Sequence, residues 1–294
     1  MIPTIKTQSN NAIPKIGLGT WMMGGGMHHD SRNDDSRDIE SIKYAIEKGI
    51  SWIRTAQNYA DGYTLKLIAK ALSGLPRSSY QICLSIHEGA GVDPATIEKH
   101  SVSAASVLEI DYIDLVIVGG INPDVSIKKV SNGLLNLKKI GLANDIGVGN
   151  YRLEELKIME EYCEGQLVYN ELQYSLVVRE VAKKNILEYM NTKNIVLGAY
   201  RPLHLGQLAK NGISLLDNLS KKYDRTPAEI SLKWLVSQEG VVTFPKASSR
   251  EHIDAIASLY DWNMSEEDQS ILTERFPITV RNGDCIPPVY KFTT

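Results

Sequence analysis

The chain of 294 residues holds only three cysteines, Cys83, Cys163 and Cys285. They are odd in number, far apart and without CxxC spacing. That excludes a disulfide frame or a cysteine zinc site and points to reduced thiols. An excess of one charge is missing too: 32 Lys and Arg stand against 35 Asp and Glu, a net charge of −3, with the cations scattered. Nucleic acid and anionic membranes therefore find no electrostatic footprint. No apolar run approaches the about 18 residues of a membrane span. The opening MIPTIKTQSNN has no basic stretch leading into an apolar one, so no export signal is expected and the cytoplasm is the expected compartment. Linkers and low-complexity segments are lacking, and residues 1–294 are expected to form one domain. A His-x-x-x-His spacing is also absent. His28, His29, Asp30, Asp34 and Asp35 in the glycine-rich loop 24–35 therefore read as a solvated lid, with no metal site expected.

What is present is a hydrophobic content of 43%, enough for a large core, arranged as strands alternating with amphipathic helices. The strand candidates are KIGLGTW (15–21), ISWIR (50–54), YQICLSI (80–86), YIDLVIV (112–118), ANDIGVG (143–149), QLVYNELQ (166–173), NIVLGAY (194–200) and VVTFP (241–245). Apolar stripes such as Ile39, Ile42, Ile46 and Ile127, Val130, Leu134, Leu137 mark helices between them. Asp93-Pro94 and Thr226-Pro227 carry helix-start chemistry, and Gly49, Gly141 and Gly240 stand where left-handed caps are expected. Eight β–α units with short connections predict an α/β protein of the (β/α)8 TIM-barrel class. An open doubly wound sheet would carry a glycine-rich dinucleotide turn, and Gly17-Leu18-Gly19-Thr20-Trp21-Met22 lacks its third glycine. Residues 2–14, turning at Asn10-Asn11, are expected to form an N-terminal hairpin closing the bottom of the barrel. Residues 263–294 are expected to form a C-terminal helix and tail.

The segments IGLGTW (16–21), GISWIRTAQNY (49–59), YQICLSIH (80–87), DYIDLVIVGG (111–120) and IGVGNY (146–151) resemble the aldo-keto reductases, and the resemblance runs from residue 13 to about 276. It implies the barrel fold and NADP(H)-dependent carbonyl reduction, with the tail lying over the mouth. In that family a Tyr protonates the carbonyl, a Lys held by an Asp acidifies the Tyr, and a His orients the carbonyl oxygen. Tyr59 matches the Tyr. By the same alignment Arg54 stands for the Asp, Ile86 for the Lys and Gly119 for the His. His87, on the strand face opposite residue 86, is not expected to stand in for them.

For the cofactor, the resemblance assigns contacts to Trp21, Asn150, Glu171, Tyr200, Pro202, Leu203, Lys246 and His252. Asn150, Tyr200 and Pro245-Lys246 keep the family's residues. Gly149, Ala247, His252 and Ile256 replace a Ser, a phosphate-binding Ser, a phosphate-stacking Arg and an adenine-contacting Asn, and Glu171 replaces a Gln. An Arg54–Glu171 ion pair inside the mouth is expected, filling space vacated at Gly119. Arg54 could otherwise supply the missing cation beside Tyr59, bind an anion or reach solvent. Three readings follow. The first is an NADP(H)-binding barrel without efficient reductase activity. The others are an enzyme rebuilt around Tyr59 and Arg54, and a non-catalytic barrel for a small-molecule ligand or nucleotide.

Overall fold

The computed structural model describes residues 1–87, 92–119, 126–277 and Cys285. In chain order its elements are β1 (Thr4–Lys6), β2 (Ala12–Pro14), β3 (Leu18–Gly19), α1 (Asp35–Glu47), β4 (Trp52–Ala56), α2 (Tyr63–Leu72), β5 (Gln81–His87) and α3 (Pro94–Leu108). Then follow β6 (Ile113–Gly119), α4 (Ile127–Lys139), β7 (Ala143–Gly149), α5 (Leu153–Tyr162), β8 (Leu167–Gln173), α6 (Glu180–Lys183), α7 (Ile186–Thr192) and β9 (Val196–Tyr200). The last are α8 (Ser214–Tyr223), α9 (Pro227–Val236), β10 (Val241–Thr243), α10 (Arg250–Ala257) and α11 (Glu266–Arg275).

Strands β3 to β10 form one parallel eight-stranded sheet in sequential order. A parallel bridge between Ile16 and Thr243 closes it into a barrel, with Gly17 N–H donating to the Thr243 carbonyl at 2.8 Å. All eight expected strands are therefore found. Helix starts behave as their chemistry requires. Asp93 accepts from Thr96 N–H, Thr226 and Glu229 form a reciprocal capping box, and Gly49, Gly141 and Gly240 take left-handed φ of 86°, 75° and 69°. Among the described residues no helix is long and apolar enough to cross a membrane.

Alternation along the strands sorts the core into two layers. Ile53, Ile82, Leu84, Ile86, Val116, Val118, Ile146 and Val148 face out into the helix-packed core. Trp52, Cys83, Leu115, Ile117, Tyr169, Val242 and Phe244 face in and fill the lower barrel, with Trp52 meeting Tyr169 and Phe244 edge-on at 6.0 and 5.7 Å. The three cysteines are buried and free.

β1 and β2 pair as the expected antiparallel hairpin, with Asn10 at φ 64°. Asp145, buried low on β7, anchors it. Thr7 Oγ1 and Asn11 Nδ2 donate to its carboxylate at 3.3 and 3.0 Å, and Ser9 Oγ donates as well. The expected C-terminal helix is α11. Of the tail beyond Pro277 only Cys285 falls within the described residues, its carbonyl accepting from Gln173 N–H at 2.9 Å, so the expected cover over the mouth lies outside them. Replacing Asp145 by Ala removes all three bonds to the hairpin, and urea unfolding should register a loss of about 1–3 kcal/mol.

Candidate active site

The C-terminal ends of parallel strands gather at one rim, where side chains from several strands can converge. On β4, Arg54 points inward above Trp52 and is only 4% exposed. A guanidinium at that depth requires a partner, and β8 supplies one across the barrel. Arg54 Nη2 donates to Glu171 Oε1 at 2.5 Å and Nε to Oε2 at 3.0 Å, a two-pronged fork on a carboxylate that is itself buried. The remaining edge of the guanidinium faces Tyr59, where Nη1 donates to the phenol oxygen. Burial opposes the charge on Arg54, but Glu171 and the Tyr59 phenol outweigh it and hold its pKa well above the ordinary value. The expected ion pair is therefore present, and its third partner is Tyr59.

Tyr59 sits half-buried on the turn after β4, with the partly exposed Trp21 edge-on at 4.9 Å. The turn continues through Ala60 and Asp61 at φ 51° and 55°, left-handed values that cost energy for residues with a Cβ. Main-chain bonds from Ala60 and Asp61 N–H to Gly26 and Met27 hold it, as does the Asp61 carboxylate accepting from His29 N–H. His28 Nδ1 lies 3.1 Å from the other oxygen of Asp61, and His29 stacks on Tyr63. Loop 24–35 thus uses its polar groups on its own neighbours. Among the described residues no cluster of three or more His, Cys, Asp or Glu could hold a metal.

The family alignment on β5 needs correction. Ile86 does not stand in the mouth; it is fully buried in the outer core against the helices. The inward positions are Cys83, Ser85 and His87, so the opposite face to which alternation assigns His87 is the inside of the barrel. Its Nε2 lies 2.7 Å from Ser85 Oγ, and the Gly119 main chain also engages the ring. A Cβ added to Gly119 would come within 2.5 Å of His87 Cε1 and 2.7 Å of Nδ1. The space vacated at Gly119 is therefore filled by His87 and not, as expected, by the Arg54–Glu171 pair. Burial, and then the nearby Arg54 charge, push the His87 pKa down to about 3, so the ring is neutral.

The residues assigned to a nucleotide line the same rim on β3, β7, β9 and β10. Asn150, at φ 65°, donates its N–H to the Glu171 carbonyl at 2.8 Å, and its Oδ1 accepts from Tyr200 Oη at 2.8 Å. Beside it Gly149 is a shallow cradle, since an added Cβ would meet nothing closer than 3.4 Å. Pro202 is buried and Leu203 half-buried at the start of the loop after β9. Lys246 is exposed just past β10, with Arg37 and Asp38 of α1 as charged neighbours. His252 is exposed on α10, where its N–H is capped by Ser249. Of the residues that the resemblance assigns to the cofactor, Asn150, Glu171 and Tyr200 are joined in one bonded run. At the phosphate end Lys246 stands beside a buried, apolar Ala247, a thinner provision. Sequence reasoning missed His87 and Gln57, whose side chain bonds the His87 main chain.

Comparison with known proteins agrees with the barrel fold. The model of the Aldo/keto reductase family matches residues 15–275. The chain is 28% identical to glyoxal reductase of Bacillus subtilis, over 90% of each chain. It is 23% identical to methylglyoxal reductase YeaE of Escherichia coli, over 93% of this chain and 94% of the relative. Among solved structures, a thermostable aldo-keto reductase in complex with the inhibitor epalrestat superposes with a TM-score of 0.87 at 26% identity, covering 92% of this chain and 98% of the other.

Two outcomes are expected. Arg54→Met and Glu171→Met should each cost about 3–5 kcal/mol by leaving a buried charge unpaired, whereas the double variant should be near the parent in a denaturation cycle. As pH falls, the unfolded His87 takes up its proton near the ordinary 6.5 and the folded one only near 3. The stability tied to its neutrality is therefore complete above about pH 6.5 and is lost toward 3, at up to about 1.4 kcal/mol per pH unit. Urea titrations of the parent and His87→Asn between pH 7 and 4 should diverge; parallel curves would contradict the neutral, buried assignment.

Proposed function

The chain belongs to the aldo/keto reductase family, and on that footing we propose that it binds NADP(H) at the rim of its barrel and reduces small carbonyl compounds slowly, through a proton donor rebuilt from Tyr59, Arg54 and Glu171. The observation that carries this reading is the Arg54 guanidinium, forked onto Glu171 by one edge and donating to the Tyr59 phenol from the other.

NADPH, when bound, supplies the hydride. The residues of this chain handle the proton. With Arg54 donating to its oxygen, the Tyr59 hydroxyl would pass its hydrogen to a carbonyl oxygen bound at the mouth. The guanidinium then faces the phenolate that forms, and Glu171 keeps the fork from turning away. Tyr200 and Asn150 would hold the nicotinamide, and Lys246 would meet the 2′-phosphate. That the relatives reduce glyoxal and methylglyoxal by name supports a small dicarbonyl as the first substrate to try.

Slowness follows from what the site no longer has. Among the described residues no lysine is bonded to Tyr59, and the His87 imidazole is bonded to Ser85 and Gly119. Loss of an oriented donor costs about 10²–10⁴ in rate. NADPH should therefore quench tryptophan emission saturably. Turnover of methylglyoxal should lie at least about 100-fold below the two named reductases, and Tyr59→Phe should abolish it with nucleotide affinity unchanged within about twofold. Failure to bind NADPH would turn the reading into a non-catalytic barrel; undiminished turnover in Tyr59→Phe would remove the donor assignment.

A further inference from the structure

Tyr59 belongs to no strand or α-helix, yet a proton donor must be held within a fraction of an ångström. Three bonds fix the chain just before it. Gln57 N–H donates to the Ser85 carbonyl at 3.1 Å, continuing the β4–β5 ladder by one residue. The Gln57 side chain then forms a reciprocal pair with the main chain of His87, Nε2 donating to the carbonyl and Oε1 accepting from N–H, each at 3.2 Å. A primary amide carries a donor and an acceptor side by side, which suits it to this pairing. On the far side, Ala60 and Asp61 are bonded to Gly26 and Met27, and Thr64 Oγ1 donates to the carbonyls of Met23 and Tyr59. Tyr59 thus lies between two anchors, one on β5 and one on the loop after β3.

We propose that Gln57 is a positioning residue, whose paired bonds to the His87 main chain hold the Tyr59 phenol against Arg54 and Trp21. The proposal rests on the reading of Tyr59 as proton donor. His87 then serves twice, since its ring fills the space above Gly119 while its main chain tethers the neighbouring loop. The strained Ala60–Asp61 turn needs both anchors, because a chain released at Gln57 can relax those left-handed residues and carry the phenol away from the guanidinium.

The test uses the full chain with Gln57→Met, which keeps bulk and loses both bonds, and Gln57→Glu, which keeps the acceptor but sets a carboxylate against the His87 carbonyl. In both, kcat for methylglyoxal should fall about 10–100-fold while KM for NADPH stays within about twofold. The Trp21 emission, taken as the difference from Trp21→Phe, should move toward that of Tyr59→Phe, reporting loss of the edge contact. A cap that merely finishes β5 would lower Tm and leave both kcat and the Trp21 signal at parent values; that result would overturn the proposal. Should the parent show no NADPH turnover, the catalytic reading fails by itself, and the Trp21 signal in the same variants still decides whether Gln57 places Tyr59.

Discussion

A guanidinium inside a parallel barrel has lost its water, and everything near the mouth of this protein is arranged around that fact. The cost of burying Arg54 is met only if both faces of its charge find oxygen, and the partners come from two places. Glu171 reaches across from β8, and Tyr59 reaches down from the turn after β4. Since the pair spans the barrel, it ties the position of a catalytic candidate on one side to β8 on the other. Asn150, through its N–H to the Glu171 carbonyl, carries the same connection one strand further.

Room for this arrangement comes from a single rung of the sheet. His87, Gly119, Gly149, Glu171 and Gly198 are register partners in turn across β5, β6, β7, β8 and β9. Three of the five are glycines, so only two side chains enter the layer from these strands. His87 lies over Gly119, and the Tyr169 ring from the layer below occupies the place of a Cβ at Gly198. Gly149 remains the open position, beside Asn150. Glycines separate the two bulky side chains of the rung, the way a barrel layer is filled when large side chains must share a narrow interior.

The fold was legible almost entirely, because strand and helix periods, caps and left-handed glycines are local properties, and all eight strands, the hairpin and the Asp93 and Thr226 caps stand where local chemistry places them. The Arg54–Glu171 contact was legible for another reason: a lone buried charge demands an opposite one, and few were available. His87 was misread. Motif alignment placed Ile86 in the lysine's position, although QICLSIH itself alternates, with Ile82, Leu84 and Ile86 apolar and Cys83, Ser85 and His87 polar. In a barrel sheathed by helices the apolar face turns outward, so period two was the better guide. Gln57 could not have been found from sequence, since its partner is a main-chain segment whose register with β4 is a tertiary property.

The fork between Arg54 and Glu171 also bears on how such a chain can change. An aspartate at position 54 opposite an unaltered Glu171 would set two carboxylates face to face without water. A glutamine at 171 opposite an unaltered Arg54 would strand the cation. Each single step away from the present pair is a descent in stability, and only a concerted change at both positions arrives on level ground. Such a chain occupies an isolated peak: neutral drift can reshape its loops and helices freely, but it cannot walk the two charges, one at a time, into a different catalytic layout.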